Sequence, residues 1–404
     1  MGVNQNKKWL EHFVEKSLFV VCLFLGLVGV TASKAMTLLV VLGGIAGLLA
    51  ILNNRRQNPQ VFTPLTITLV LLFFWAGVSS LWNLNDFRAL ILCIRLLALC
   101  IAGFLLTQIC AGLSPETMKR LQTTVLVGFG LGLLGLLTGY AYANTYKDSL
   151  WGSYYFDPLT TLNNGAVVIA LLLWPVSLIV WHKLNPLMAI FLIFAVSAGL
   201  MFLSSGASLL AVAVGGVTFI ICLLLGRSVG IAIAILTAGF VLYVPTITEK
   251  YTTSGTVSEL VESAPPSVKH RVVMWNFVSQ KIKEAPFWGH GMDSSRHIPQ
   301  DKFRLSSNME IMPLHPHNAA LQIRMELGLP GVTLAIALVL SIFWAILKEA
   351  SSRQQMAIRI SALCTYLSVG AVSYGVWQAW WIASAWALAA IVQITLSTDQ
   401  SRNP

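Results

Sequence analysis

The chain has 404 residues, of which 56% are hydrophobic and only 10% charged. An average soluble domain carries roughly 25% charge, so this composition excludes a water-soluble fold, and it excludes disorder because disordered chains are polar and highly charged. The formal charge of +10 points to basic loops beside anionic headgroups and not to nucleic acid, for which no binding motif is present.

The N-terminus carries Lys7, Lys8, Glu11 and Glu15 ahead of its first apolar run, without a small-residue cleavage site, so no removable signal is expected. A hydrocarbon core about 30 Å thick requires roughly 20 apolar residues per helix. Twelve spans are predicted, near 14–31, 36–52, 64–82, 89–109, 122–142, 164–181, 187–204, 208–225, 228–246, 329–347, 358–376 and 379–396. The fold class is therefore an all-α polytopic membrane protein. It divides into an N-terminal bundle over 1–246, a long loop over 247–327, and a C-terminal bundle over 328–404.

Orientation follows from the basic residues. With the N-terminus cytoplasmic, the inner segments hold Lys7, Lys8, Lys16, Arg55, Arg56, Lys119, Arg120, Lys183, Arg227, Lys348, Arg353, Arg359 and Arg402. The short outer loops hold only Lys34, Arg88 and Lys147. Thirteen against three places both termini inside and the long loop outside. The six cysteines lie in or at the edge of apolar runs without metal spacing, and read as small buried apolar residues with no disulfide or metal. Gly128, Gly130, Gly132 and Gly135 in the fifth span suit close helix contact. Trp377, Trp380 and Trp381, with Gln378 among them, read as an aromatic belt or as a surface that stacks on sugar or lipid.

Polar residues concentrate in the long loop, including five of the seven histidines when His315 and His317 are counted. A first loop helix is predicted between an N-cap at Ser267 and Pro286, with an apolar stripe of Trp275, Val278 and Ile282. Arg271, four residues before Trp275, shares that stripe, whereas Lys269, Lys281 and Lys283 point elsewhere. A guanidinium on a packed face requires an anionic partner, either a carboxylate or a phosphate. A second helix follows Pro316 and ends at Gly328 and Pro330. On it His317, Leu321 and Arg324 share a face, with Glu326 opposite. His317, with His315 and Asn318 beside it, is a candidate general base. Arg95 lies inside the fourth span, where it either snorkels, pairs with Asp86, or serves function.

The segment His317-Asn318-x-x-Leu321-x-x-x-x-Glu326-x-Gly328-x-x-Gly331, with Arg271-x-x-x-Trp275 and the WGHGMDSS stretch at 288–295, resembles the O-antigen ligase and O-antigen polymerase superfamily. The resemblance is specific over about 190–345, and the twelve-span plan favours the ligase branch. It implies a metal-independent, inverting membrane glycosyltransferase of the GT-C type, without cofactor, in the bacterial inner membrane. The implied partners are a glycan on undecaprenyl diphosphate, a lipid A-core or other glycan acceptor, and membrane lipids. In this light His317 is the base, while Arg271, with His315, Arg324, Lys269 or Arg95, binds the diphosphate. Asn318, Trp275, Gln378 and Asn164 are candidates for orienting donor and acceptor. The second arginine of many relatives is missing, since those places read Leu162-Asn163-Asn164-Gly165 and Ser204-Ser205-Gly206-Ala207-Ser208. A polymerase with another glycan acceptor, or a transporter, is the alternative expectation; the spans carry no clear two-half repeat that would favour transport.

Overall fold

The computed structural model describes residues 2–53, 62–83, 86–145, 158–203, 205–252, 264, 266–300, 304–306, 309–312 and 314–396. Arg55, Arg56, Lys147, Ser204, Pro265 and Arg402 lie outside them, as does the side chain of Asp86. Thirteen long helices account for nearly all of the described chain: α1 (Gly2–Thr31), α2 (Met36–Asn53), α3 (Pro64–Ser79), α4 (Asp86–Ala111), α5 (Pro115–Thr145), α6 (Pro158–Lys183), α7 (Pro186–Phe202), α8 (Gly206–Leu225), α9 (Arg227–Thr252), α10 (Pro266–Glu284), α11 (Ala319–Glu349), α12 (Arg353–Gly370) and α13 (Ala379–Leu396). A minimal antiparallel pair, Arg304–Ser306 with Met309–Glu310, is the one departure from helix and turn among the described residues.

Every expected span coincides with one of these helices, α10 being the extra one in the long loop. Ten of them are long and apolar enough to cross a membrane. The other two are α7, apolar but only 17 residues long, and α12, whose first turns carry Arg353, Gln354, Gln355 and Arg359. The expected end of the eleventh span at 376 is corrected. Helix α12 stops at Gly370, and a turn closed by Ala371 N–H to Leu367 O (2.9 Å) and Ser373 N–H to Val369 O (2.9 Å) follows.

Helix α6 is the axis of the bundle. Residues 165–180 are buried without interruption, as a helix that is apolar around its whole circumference requires. Around it α1 and α5 approach backbone to backbone. A Cβ on Gly128 would lie 2.3 Å from Cys22 O, and one on Gly132 would lie 2.8 Å from Gly26 C. Gly130, by contrast, faces open space. All six cysteines are free and buried.

The connections sort to two ends. At one, Arg227 reaches Ala350 O (3.5 Å), Arg353 reaches Leu224 O (3.3 Å), and Lys183 Nζ donates to Lys119 O (3.0 Å). At the other, the α3–α4 and α12–α13 turns meet the loop between α9 and α11. The loop helix α10 begins at Pro266, so Ser267 lies within its first turn and not at its cap. Its Met274, Phe277, Val278 and Ile282 are buried against Val244 of α9 and Ala320, Leu321 and Met325 of α11.

Candidate functional site

The site is built on a broken helix. The helical stretch α11 breaks at the expected stop, Gly328, and restarts beyond it; there φ is +66° and ψ is −156°, a conformation essentially open only to glycine. Such a break frees backbone groups that, being buried, must find partners. Segment 287–291 supplies them. His290 N–H donates to Met325 O (2.9 Å), Gly291 N–H to Glu326 O (2.8 Å), and Leu329 N–H to Phe287 O (2.9 Å). Trp75 Nε1–H of α3 takes Leu327 O (2.9 Å). A Cβ on Gly328 would lie 2.0 Å from Phe287 O. Gly328→Ala should therefore destabilise the chain by at least about 2 kcal/mol. Thermal unfolding in detergent, followed by tryptophan fluorescence, reads this; an unchanged midpoint would mean that the strap does not hold the break.

Glu326, the residue before Leu327 in this break, is fully buried. The sequence leaves it without a role, yet five donors converge on its carboxylate: Asp293 N–H (2.8 Å), Ser295 N–H (3.4 Å), Ser295 Oγ, Gln322 Nε2 (3.0 Å) and Trp377 Nε1 (2.5 Å). A carboxyl group can accept several such bonds at once. Gln322 in turn takes Val376 N–H on its oxygen (2.9 Å). Glu326 thus ties the 293–295 turn, α11 and the α12–α13 turn together.

His317 stands at the top of this assembly. It precedes the N-cap residue Asn318, whose side chain accepts from Leu321 N–H (3.0 Å). Its φ of +52° puts it outside the helix, so the helical face once assigned to it does not apply. Its Nδ1–H donates to Ser373 O, and because a carbonyl only accepts, the lone pair is left on Nε2. Burial lowers its pKa; the Ser373 bond opposes this, and the charges of Arg271 and His270 add to it. Arg271 is itself half-buried; burial lowers its pKa, and the phenol of Tyr374 works against that. Tyr374 is pushed up by burial and held back by Arg271. His317 and Ser373 are thus bonded, and Arg271 of α10 is near enough for its charge to act on both His317 and Tyr374 of the α12–α13 turn.

Three further candidates brace this place. Trp275 Nε1–H donates to Pro316 O (2.7 Å), which fixes the His317 loop to the helix that carries Arg271. Trp380 Nε1–H donates to Gln378 Oε1 (3.1 Å), which turns the Gln378 amide nitrogen toward His315 Nε2 (3.0 Å). His315 Nδ1 accepts from His317 N–H (3.2 Å). A neutral imidazole carries one N–H, so only one of these two contacts is a hydrogen bond, and a second ring proton would meet another donor. Burial, with His317 and Arg296 nearby, accordingly pushes its pKa down to about 3. His315 is neutral, without a cation to offer a phosphate.

The remaining candidates sit apart. Asn164 donates to Ser33 Oγ (3.3 Å) in the α1–α2 turn. Arg95 is exposed on α4, and Lys269 is half-buried on α10; no hydrogen bond or ion pair among the described residues joins either to His317. Arg324 is half-buried on α11, and its Nη1 is buried without a partner among the described residues. The aromatic-belt reading of Trp377, Trp380 and Trp381 is corrected: they are 6%, 8% and 3% exposed, and Trp381 stacks on Tyr366 with ring centroids 4.2 Å apart. Ser373 and Tyr374 carry no sequence signal, because the apolar run around them reads as membrane span.

Comparison with known proteins now adds to this geometry. Residues 189–336 match the profile of a family described as O-Antigen ligase. A protein of Rickettsia felis named "Putative polysaccharide ligase" is 30% identical over 88% of this chain and 86% of its own length. One of the same name from Rickettsia bellii is 28% identical over 84% of this chain and 83% of its own.

Proposed function

The chain belongs to the O-antigen ligase family, a group with polysaccharide-ligase-type activity, and from that premise we propose the donor, the acceptor and the chemistry. The donor is a glycan on undecaprenyl diphosphate, and the acceptor is a sugar hydroxyl of the lipid A core. The observation that carries this is a neutral imidazole with Nε2 unprotonated, held beside a guanidinium at the N-terminus of α11.

The step balances as a single displacement. The acceptor oxygen forms a bond to the anomeric carbon of the donor as the bond from that carbon to the phosphate oxygen breaks. The electron pair leaves with undecaprenyl diphosphate, and the hydroxyl proton passes to His317 Nε2. Charge develops on the leaving diphosphate, where the Arg271 guanidinium and the N–H groups at the start of α11 stabilise it. Trp275, Gln378 and Asn318 act by holding the His317 loop. On this reading the site faces the periplasm and both termini are cytoplasmic, which is supported by the lysines and arginines gathered at the opposite end of the bundle.

The test offers purified chain lipid-linked glycan together with lipid A core. Wild type should elongate the core, and Arg271→Gln should slow that by roughly 10²–10³. Transfer to a free glycan chain in place of the core would overturn the acceptor assignment, and full activity of Arg271→Gln would remove the arginine from the site.

A further inference from the structure

A cavity of about 460 Å³ opens between the α8–α9 and α11–α12 turns. It lies where α12 begins, whereas Ser373, which holds His317, follows the end of that helix. Arg227, Ser228, Ser351 and Arg353 line the cavity together with Leu225 and Met356. The two arginines reach across it in opposite directions. Arg227 Nη2–H donates to Ala350 O (3.5 Å), and Arg353 Nη1–H donates to Leu224 O (3.3 Å). A Cβ on Gly226 would lie 3.5 Å from Arg353 Nε, so that guanidinium rests against the residue just before Arg227.

The chain does not balance the charge gathered here. A carbonyl accepts a hydrogen bond without neutralising the cation, and each guanidinium has five N–H groups to place. Neither arginine forms an ion pair among the described residues. Glu349, next to Ala350, pairs instead with Arg359 (3.2 Å). The helix ends add to the excess. Arg227 is the first residue of α9 and Arg353 the first of α12, and neither helix has an acid in its first turn. A helix N-terminus carries partial positive charge and favours acids over bases there. Two cations and two helix dipoles are thus directed at one cavity, and an anion would balance them.

The rim narrows the kind of anion. Leu224 and Leu225 are 66% and 65% exposed, on a helix long and apolar enough to cross a membrane. The apolar surface of α8 therefore runs straight into the cavity mouth. A free ion would use the arginines and leave these leucines idle. A phospholipid uses both, with phosphate oxygens between the guanidinium groups and acyl chains along α8. We propose that this cavity binds the phosphate of an anionic phospholipid, with Arg227, Arg353 and the first N–H groups of α9 and α12 as its donors. The assignment does not depend on the donor, acceptor or base proposed above.

The test titrates purified full-length chain in detergent with phosphatidylglycerol, phosphatidylcholine or inorganic phosphate, read by equilibrium binding and by thermal unfolding. Wild type should bind phosphatidylglycerol saturably and melt higher with it, with an apparent Kd at least about tenfold below that for phosphatidylcholine. Ser228→Glu is the decisive variant, because it puts a carboxylate in the cavity at the start of α9. Without lipid it should melt no lower than wild type, since an acid is favoured there. Its apparent Kd for phosphatidylglycerol should rise at least about tenfold. Arg227→Gln combined with Arg353→Gln should lose the same binding, but at a lower melting point because two carbonyls lose their donors. Arginines that only cap those carbonyls would leave Ser228→Glu within twofold of wild type, and that result overturns the proposal. Equal binding of the two lipids by wild type overturns it as well. Stabilisation by inorganic phosphate as large as that by phosphatidylglycerol would overturn the lipid and leave a free anion in its place.

Discussion

Replacing His317 with glutamine should slow glycan transfer by roughly 10²–10⁴, with little change in melting temperature, because glutamine can still donate to Ser373 O but cannot take a proton. The pH profile gives the sharper version of this expectation. The active form is the unprotonated one, and burial together with Arg271 lowers the pKa of His317 below 6.5. The rate should therefore hold steady above pH 6.5 and fall only as pH drops through that lowered value. Removing the charge in Arg271→Gln lifts one of the forces that keep the imidazole neutral, so the acid limb of whatever activity remains should move to higher pH. A wild-type limb centred above 6.5, or one indifferent to Arg271, would falsify the assignment of this imidazole as the base.

The second large effect is expected at Glu326. Glu326→Gln changes one oxygen to an NH₂ that must face donors, and it removes the charge that strengthens the rest. With Asp293 N–H, Ser295, Gln322 and Trp377 all aimed at that carboxylate, the loss should be about 3 kcal/mol or more. It should appear as a lower unfolding midpoint in detergent, with the surroundings of Trp377 altered in near-UV circular dichroism. Loss of transfer should follow indirectly, because the 293–295 and 373–378 turns would no longer be held to α11. A variant with wild-type stability but no transfer would assign Glu326 to the chemistry and not to the scaffold.

The membrane helices were legible because nearly every one repeats the same physical demand, a run of apolar residues as long as the hydrocarbon is thick. The stripe of Trp275, Val278 and Ile282 likewise marked the packed side of α10. Wheel arithmetic failed at His317, because it assumes a helix where the chain has a positive φ. Gly328 with Pro330 did mark the end of the helix that follows His317, since the backbone leaves helical geometry at Gly328; the partners at Phe287, His290 and Gly291 that hold the break are tertiary and had no local signal. The tryptophans near 380 were misread because composition cannot tell an interface belt from a buried aromatic stack. Ser373 acts through its carbonyl, which every residue possesses, so no side-chain pattern could have revealed it.

The strap at 287–291 bears on how this chain could tolerate changes in length. Surface connections usually absorb insertions at small cost. Here three successive backbone bonds, at 287, 290 and 291, are matched to fixed positions on either side of the Gly328 break. Adding or removing one residue would slip that register and leave buried carbonyls without partners. Among the described residues of the long loop, this stretch has little freedom to vary in length, although it contains no residue of the proposed chemistry.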